Sequence, residues 1–283
     1  MTGRLADISA RLEGIRQLGT VVNAMTGMAA ARARQAHQQI ISVDSYAATI
    51  TAAMGQIMAP IATPPVRQSA HPDPALLVFC AEQGFAGAFS ERVIDAIGED
   101  PGVRNLFLVG TRGKAILAEK GITPVWSAAM PSHSPGIPKF ADTVLRAIYQ
   151  RIDAGGIDRL DALYTTWQSG VPTVARRRLF PIDLASLPIR EGDAPLTNLP
   201  DLALISSLSA DYFHALICNV ALYAFAAENE ARMAAMSSAQ SQIEKELTEL
   251  AAIERRVRQE SITAEIIELA TGNRASREAA SRS

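Results

Sequence analysis

The chain has 283 residues, 48% of them hydrophobic, 20% charged and only 5% aromatic, with a formal net charge of −2. That length allows one or two domains with a sizeable core, and no overall basic excess argues for nucleic acid. Alanine-rich and ring-poor, the composition favours helix over a large β sandwich.

The opening Met1-Thr2-Gly3-Arg4-Leu5-Ala6-Asp7 lacks the apolar run of a secretory signal. No stretch is read as approaching the ~20 apolar residues that span a bilayer, so a membrane role would run through a partner. Cys80 and Cys218 lie far apart in apolar company and read as reduced core thiols.

Residues 1–60 predict one long helix. No proline occurs before Pro60, and an apolar series recurs every third and fourth residue: Leu5, Ile8, Leu12, Ile15, Val22, Ala29, Ala33, Ala36, Ile40, Val43, Ala47, Ile50, Met54 and Ile57, broken only by Gly19 and Thr26. A stripe sustained this long is the pattern of a coiled coil. At 1.5 Å per residue the arm would extend roughly 80 Å. Leu18, Val21, Met25 and Met28 form a second stripe beside it, and a helix apolar on more than one face is enclosed by protein. Flexible Met and small Ala and Gly suit contacts that slide or re-pack.

Pro60-Ile61-Ala62-Thr63-Pro64-Pro65 and His71-Pro72-Asp73-Pro74 make 61–74 a linker. Residues 75–200 predict alternating strands and helices: strand 75–80, helix 89–97, strand 105–109, helix 114–120, strand 122–126, helix 141–152 and strands 160–167 and 174–182. Such alternation predicts a Rossmann-like α/β domain with a parallel or mixed sheet.

Residues 201–272 predict a second long helix, with Leu222, Ala226, Asn229, Met233, Met236, Gln240, Ile243, Leu247, Leu250 and Val257 mostly on one heptad face. Ile262, Ile266 and Leu269 continue an apolar stripe in shifted phase. Gly272 is read as the stop and 273–283 as a polar tail. Two long arms separated by a domain can pair within one chain only if antiparallel. The fold class is therefore α/β: an antiparallel coiled coil of the N- and C-terminal helices plus the central domain.

At these residues the chain resembles a known family. Ala24-Met25 followed by Ala29-Ala30-Ala31-Arg32-Ala33-Arg34-Gln35 is similar to the N-terminal pattern of ATP synthase gamma subunits. Glu230-Ala231-Arg232-Met233-Ala234-Ala235-Met236 and Arg258-Gln259-Glu260-Ser261-Ile262-Thr263-Ala264-Glu265 resemble its C-terminal signature. The resemblance covers nearly the whole chain. It implies a divergent bacterial, noncatalytic subunit of the CF(1)-type sector, serving ATP synthesis and hydrogen-ion transport with no cofactor of its own. Its implied partners are the alpha, beta and epsilon subunits and the membrane c-ring, and its implied place is peripheral, on the cytoplasmic face of the bacterial inner membrane. Carried over by residue, Arg258, Gln259 and Thr263 would meet a beta-subunit loop. Met25, Met28, Met233, Met236, Ile262 and Ile266 would belong to the shaft inside the alpha/beta ring.

The chain departs from the family at Glu82-Gln83-Gly84-Phe85-Ala86-Gly87, where Asp-Lys/Arg-Gly-Leu-Cys-Gly is usual. It departs again at Gln240-Ser241-Gln242 in place of Thr-Asp-Asn, at Asn23 in place of lysine, and at 195–200, where Tyr-x-x-Glu-Pro is lost.

Other motifs read as structural. Gly110-Thr111-Arg112-Gly113-Lys114 has the wrong spacing for a phosphate loop and predicts a tight strand-to-helix turn. His37, His71, His133 and His214 share no ligand spacing, so no metal is expected. Arg176-Arg177-Arg178 reads as a solvated run that protects a sheet edge. The alternative function is a homodimeric α/β nucleotide- or ligand-binding enzyme with coiled-coil arms.

Overall fold

A computed structural model describes residues 2–58, 73–168, 170–183 and 196–280, with side chains described within 4–57, 73–168, 170–183 and 196–270. The proline-rich linker lies almost wholly outside these residues. Among the described residues the α-helices and strands follow in the order α1 (Thr2–Met58), β1 (Pro74–Phe79), α2 (Phe89–Asp95), β2 (Leu106–Val109), α3 (Gly113–Glu119), β3 (Trp126–Ala128), α4 (Ile137–Asp153), β4 (Arg159–Gln168), β5 (Val171–Phe180) and α5 (Asp201–Ala280), with short 3-10 turns at Pro101–Asn105 and Ser134–Gly136. The chain divides into two compact units, residues 28–235 and residues 1–27 with 236–283.

The larger unit is layered about a five-stranded sheet of order β3-β2-β1-β4-β5. β1 pairs parallel with β2 and β4, β2 pairs parallel with β3, and β5 closes one edge antiparallel to β4. The continuous apolar run of β1 reflects burial on both faces, which parallel strands require. Ala75, Leu77 and Phe79 join Phe107, Val109, Leu160 and Ala162 on one face, against Phe140, Val144 and Ile148 of α4 and Phe213, Ile217 and Ala221 of α5. Leu76, Val78 and Cys80 join Leu106, Leu108 and Leu163 on the other, under Val93 and Ile94 of α2 and Leu117 of α3. The two-residue period of a strand sorts its side chains between these cores.

In this unit α1 and α5 run antiparallel. Ile50 and Met54 pack with Ile205, Leu208 and Tyr212, Asn219 Nδ2 donates to Asp44 at 2.6 Å, and His37 Nε2 lies 2.8 Å from Glu230 Oε1.

In the smaller unit the same two helices also pair antiparallel. Val22, Met236 and Ile243 form its buried core, flanked by Ile15, Met25, Ala239 and Leu247. Arg11 meets Glu246 at 2.8 Å, and Ser9 Oγ donates to Glu254 at 3.2 Å. The buried positions of α5 here are Met236, Ile243, Leu250 and Val257. That strict seven-residue step is the signature of a left-handed supercoil. Gly19 sits in the seam because a Cβ there would lie 3.3 Å from Ile243 Cγ2. Every residue of the expected α1 stripe from Leu5 to Ile57 is buried or half-buried.

Three expectations are corrected. The third strand is Trp126–Ala128 rather than 122–126, because Pro124 has no N–H for a ladder and the Ile122 N–H instead closes the end of α3 on Leu117 O. Gly272 does not stop α5, which continues to Ala280. A single helical glycine costs about 1 kcal/mol, which the flanking alanines, arginines and glutamate can offset. Finally, an 18-residue window of α5 does reach the mean hydropathy of a membrane span, 1.2, but 72% of it is buried within the protein. It is the core helix beneath the sheet.

Candidate partner-binding site

The expected contact residues lie on α5 beyond Val257, the last buried position of the seam. Gln259 and Thr263 stand four apart on one helix face, and the Thr263 hydroxyl donates to the Gln259 carbonyl at 2.9 Å. Arg258 Nη2 reaches back to Glu254 at 2.9 Å, with the guanidinium largely exposed. An exposed pair of this kind is worth about 0.3–0.5 kcal/mol. Arg258 can therefore exchange Glu254 for a bidentate carboxylate at small cost.

The six expected shaft residues fall in three environments. Met236 is buried and Met25 half-buried in the intramolecular seam, so both build the coil itself. Met233 is half-buried within the larger unit. Met28, Ile262 and Ile266 are 54%, 51% and 60% exposed. The phase shift beyond Val257 accounts for the two isoleucines: Ser261 and Ala264 follow the seam, while the apolar stripe turns to solvent. Leu18 and Val21 are also exposed.

A second constellation, only partly foreseen, surrounds the loop 82–87 at the end of β1. Glu228 on α5 accepts the backbone N–H groups of Glu82 and Gln83 at 3.2 and 3.1 Å. Arg232, one turn later, donates to Glu228, Asn229 Oδ1, Gln83 O and Gly84 O. Both charged side chains are 5% exposed. The Glu82 carboxylate in turn accepts from Thr111 N and Met130 N, each at 3.0 Å, and Arg32 of α1 donates to Gln83 Oε1 at 3.2 Å. Phe85 stands out of this loop at φ 63° and is mostly exposed. A bulky residue in the left-handed region is an outlier that its surroundings must impose. An open pocket of about 400 Å³ lies beside it, lined by Gln83, Phe85, Ser90, Glu91 and Arg112 among others. Glu230-Ala231-Arg232 was noticed as a motif, but nothing in its spacing showed that its arginine faces a loop some 150 residues earlier.

The glycine turns are structural. Gly110 has φ +91°, and a Cβ there would stand 2.1 Å from Cys80 O. Its absence lets β1 and β2 end side by side, the tight turn expected there. The arginine run is not merely solvated: β5 is the sheet edge, but Arg176 and Arg178 both bond buried Asp161, and Arg177 turns to Asn219 at 2.8 Å. Burial pushes the Asp161 carboxyl up, but hydrogen bonds from Arg178 and Arg176 and the charges of Arg178 and Arg159 outweigh it and hold it below its ordinary value.

Cys218 lies 3.8 Å from His214 Nδ1, whose Nε2 is 3.2 Å from Asp142. The order mimics a nucleophile triad, and the i, i+4 spacing of His214 and Cys218 could have signalled it. Yet Cys218 is buried, and burial, aided by Asp142, pushes its thiol up to about 12. Burial, partly countered by a Ser90 hydrogen bond, pushes Cys80 to about 12 as well. The nucleophile is the thiolate, so neither is reactive at neutral pH. Among the described residues no group of three or more His, Cys, Asp or Glu is placed to hold a metal.

A family model described as ATP synthase matches residues 4–275. The chain belongs to the ATP synthase gamma-chain family. An ATP synthase gamma chain of Chlorobium luteolum is 26% identical over 285 residues, covering 95% of this chain and 97% of its own. One from Moorella thermoacetica is 24% identical over 281 residues, with the same coverages. Among solved structures, a chain of the Euglena gracilis mitochondrial ATP synthase (OSCP, F1 and c-ring) overlays at TM-score 0.63 with 16% identity, covering 97% of this gamma-family chain and 95% of that one. A chain of the Tetrahymena thermophila enzyme's central stalk and c-ring overlays at 0.53, with 16% identity and coverages of 77% and 99%. These overlays establish the shared fold: long terminal helices around a parallel-rich sheet. The alternative of a homodimeric ligand-binding enzyme draws no support from them.

Proposed function

We propose that this gamma-family chain is the noncatalytic rotor shaft of an F-type ATP synthase, peripheral on the cytoplasmic face of a bacterial inner membrane. Residues 1–60 and 201–272 serve as its axle and 75–200 as its foot. Alpha and beta subunits form the surrounding ring, while the epsilon subunit and a membrane c-ring engage the foot. Because the shaft is asymmetric, each orientation offers different contacts to each beta subunit. A partner that binds one conformation better shifts the population toward it by that difference in contact energy.

The observation that carries this reading is the thin antiparallel pair that α1 and α5 form in the smaller unit, bearing apolar side chains that its own seam leaves uncovered: Leu18, Val21, Ile262 and Ile266. Exposed apolar surface of this kind suits a sleeve of other subunits. Arg258, Gln259 and Thr263 supply donors for a beta-subunit carboxylate or carbonyl. Affinity purification of the tagged chain from its own cells tests the reading. Alpha- and beta-type nucleotide-binding subunits should be recovered, each in threefold excess over the tagged chain. Recovery of a homodimer without them would overturn it.

A further inference from the structure

Whatever turns the sheet of this chain must also turn α1 and α5, or the shaft slips. Most of the surface joining them in the larger unit is apolar: Phe213, Ile217, Ala221 and Phe225 against β1, β2 and β4. Apolar attraction is non-directional, so it resists separation better than rotation about the helix axis. Against that background, two sets of part-buried polar bonds stand out, and both join the same three parts.

At the first, the 82–87 loop of the sheet is held from α5 by Glu228 and Arg232 and from α1 by Arg32, while Glu82 fastens the same loop to the ends of β2 and β3. At the second, Arg177 of β5 donates to Asn219 of α5, which donates to Asp44 of α1. Asn219, Glu228 and Arg232 are all buried. The two sets lie 9–13 residues apart on α5, or roughly 14–20 Å along the axis. Hydrogen bonds have narrow angular tolerance. Two of them spaced along one axis oppose both twisting and sliding, as a key does in a slotted shaft.

We propose that Glu228–Arg232 and Arg177–Asn219–Asp44 are torque keys, positioning residues that force the α1/α5 pair to rotate with the sheet. The proposal rests on the rotor reading, but its test separates the two. A buried ion pair is not needed for stability as such: replacing both charges with apolar groups of similar volume is often neutral, whereas removing one leaves an orphaned charge. The informative variant is therefore Glu228→Met with Arg232→Met, assembled into the complete enzyme in membrane vesicles. Three quantities are read: thermal unfolding of the complex, ATP hydrolysis, and ions pumped per ATP.

With the key removed, hydrolysis stays within about twofold of the parent while ions pumped per ATP fall at least fivefold. Arg232→Lys, which keeps the charge but not the planar fork, gives an intermediate ratio. Asn219→Leu at the other key lowers the ratio in the same direction, and serves if the first variant does not fold. An unchanged pumping ratio in folded variants would overturn the proposal. So would a loss of hydrolysis and pumping in parallel with a lower unfolding temperature, which a merely structural role would give. Should the parent chain itself neither assemble nor pump, the rotor reading fails first, on its own evidence.

Discussion

The sheet unit and the helical pair solve the same problem with very different means. Residues 28–235 bury large side chains completely on both faces of the sheet, among them Leu76, Leu77, Phe79, Phe89, Phe107 and Ile148. In the smaller unit α5 buries one side chain in every seven between Met236 and Val257, namely Met236, Ile243, Leu250 and Val257, and none of the described residues beyond Val257 is buried. The first is a self-sufficient core. The second has a thin seam that leaves Leu18, Val21, Ile262 and Ile266 exposed, the surface that the proposed rotor reading assigns to partners.

The largest effect should come from the sheet core. Phe107→Ala leaves a cavity at a site that is 1% exposed and is expected to cost about 3–5 kcal/mol, read from the denaturant midpoint at constant slope. Arg232→Ala should follow at about 3–5 kcal/mol, because it strands Glu228 as a buried charge. In the helical pair, Ile243→Ala should cost less than Phe107→Ala in the isolated chain, since it removes a smaller side chain from a core only two helices thick. A loss as large as that of Phe107→Ala would erase the contrast between the two regions. At the small end, Arg258→Ala with Gln259→Ala should change stability by less than about 0.5 kcal/mol, yet weaken assembly or coupling. Unchanged ATPase and stable complexes in that double variant would count against the assigned contact.

Acid sharpens the same contrast, because Asp161 belongs to the sheet unit. Its folded value is depressed, so its stabilisation is complete above the ordinary carboxylate value near 3.9 and is lost as pH falls through the lower folded value. Asp161→Asn should flatten the steep acid limb of the stability curve below about pH 4 and leave its slope between pH 5 and 8 unchanged. An unaltered acid limb would show that the three arginines do not act through this carboxylate.

Periodicity made much of the fold legible. The α1 stripe from Leu5 to Ile57 falls on covered positions throughout, because a long helix admits few ways to hide a heptad pattern. The late strands expected at 160–167 and 174–182 match β4 and most of β5. The third strand was misplaced because Ile122 and Val125 look strand-like, while the missing N–H of Pro124 decides the ladder. Gly272 was over-read, since one glycine weakens a helix without ending it.

The candidate site was less legible. Arg258, Gln259 and Thr263 were found through motif resemblance, not geometry. The 82–87 loop with Glu228 and Arg232 could not be found by spacing at all, for its parts meet only after the sheet folds between the two helices. Asn229 was read as a seam residue, whereas its side chain serves Arg232.

The claim that this chain turns inside a ring is tested most directly by watching it turn. Lys114 is exposed on α3, and both native cysteines are buried, so Lys114→Cys offers a unique attachment point for a visible probe. With the alpha/beta ring fixed to a surface and ATP supplied, the probe should rotate stepwise in one direction. A probe that stays still while the same complexes hydrolyse ATP would contradict the account.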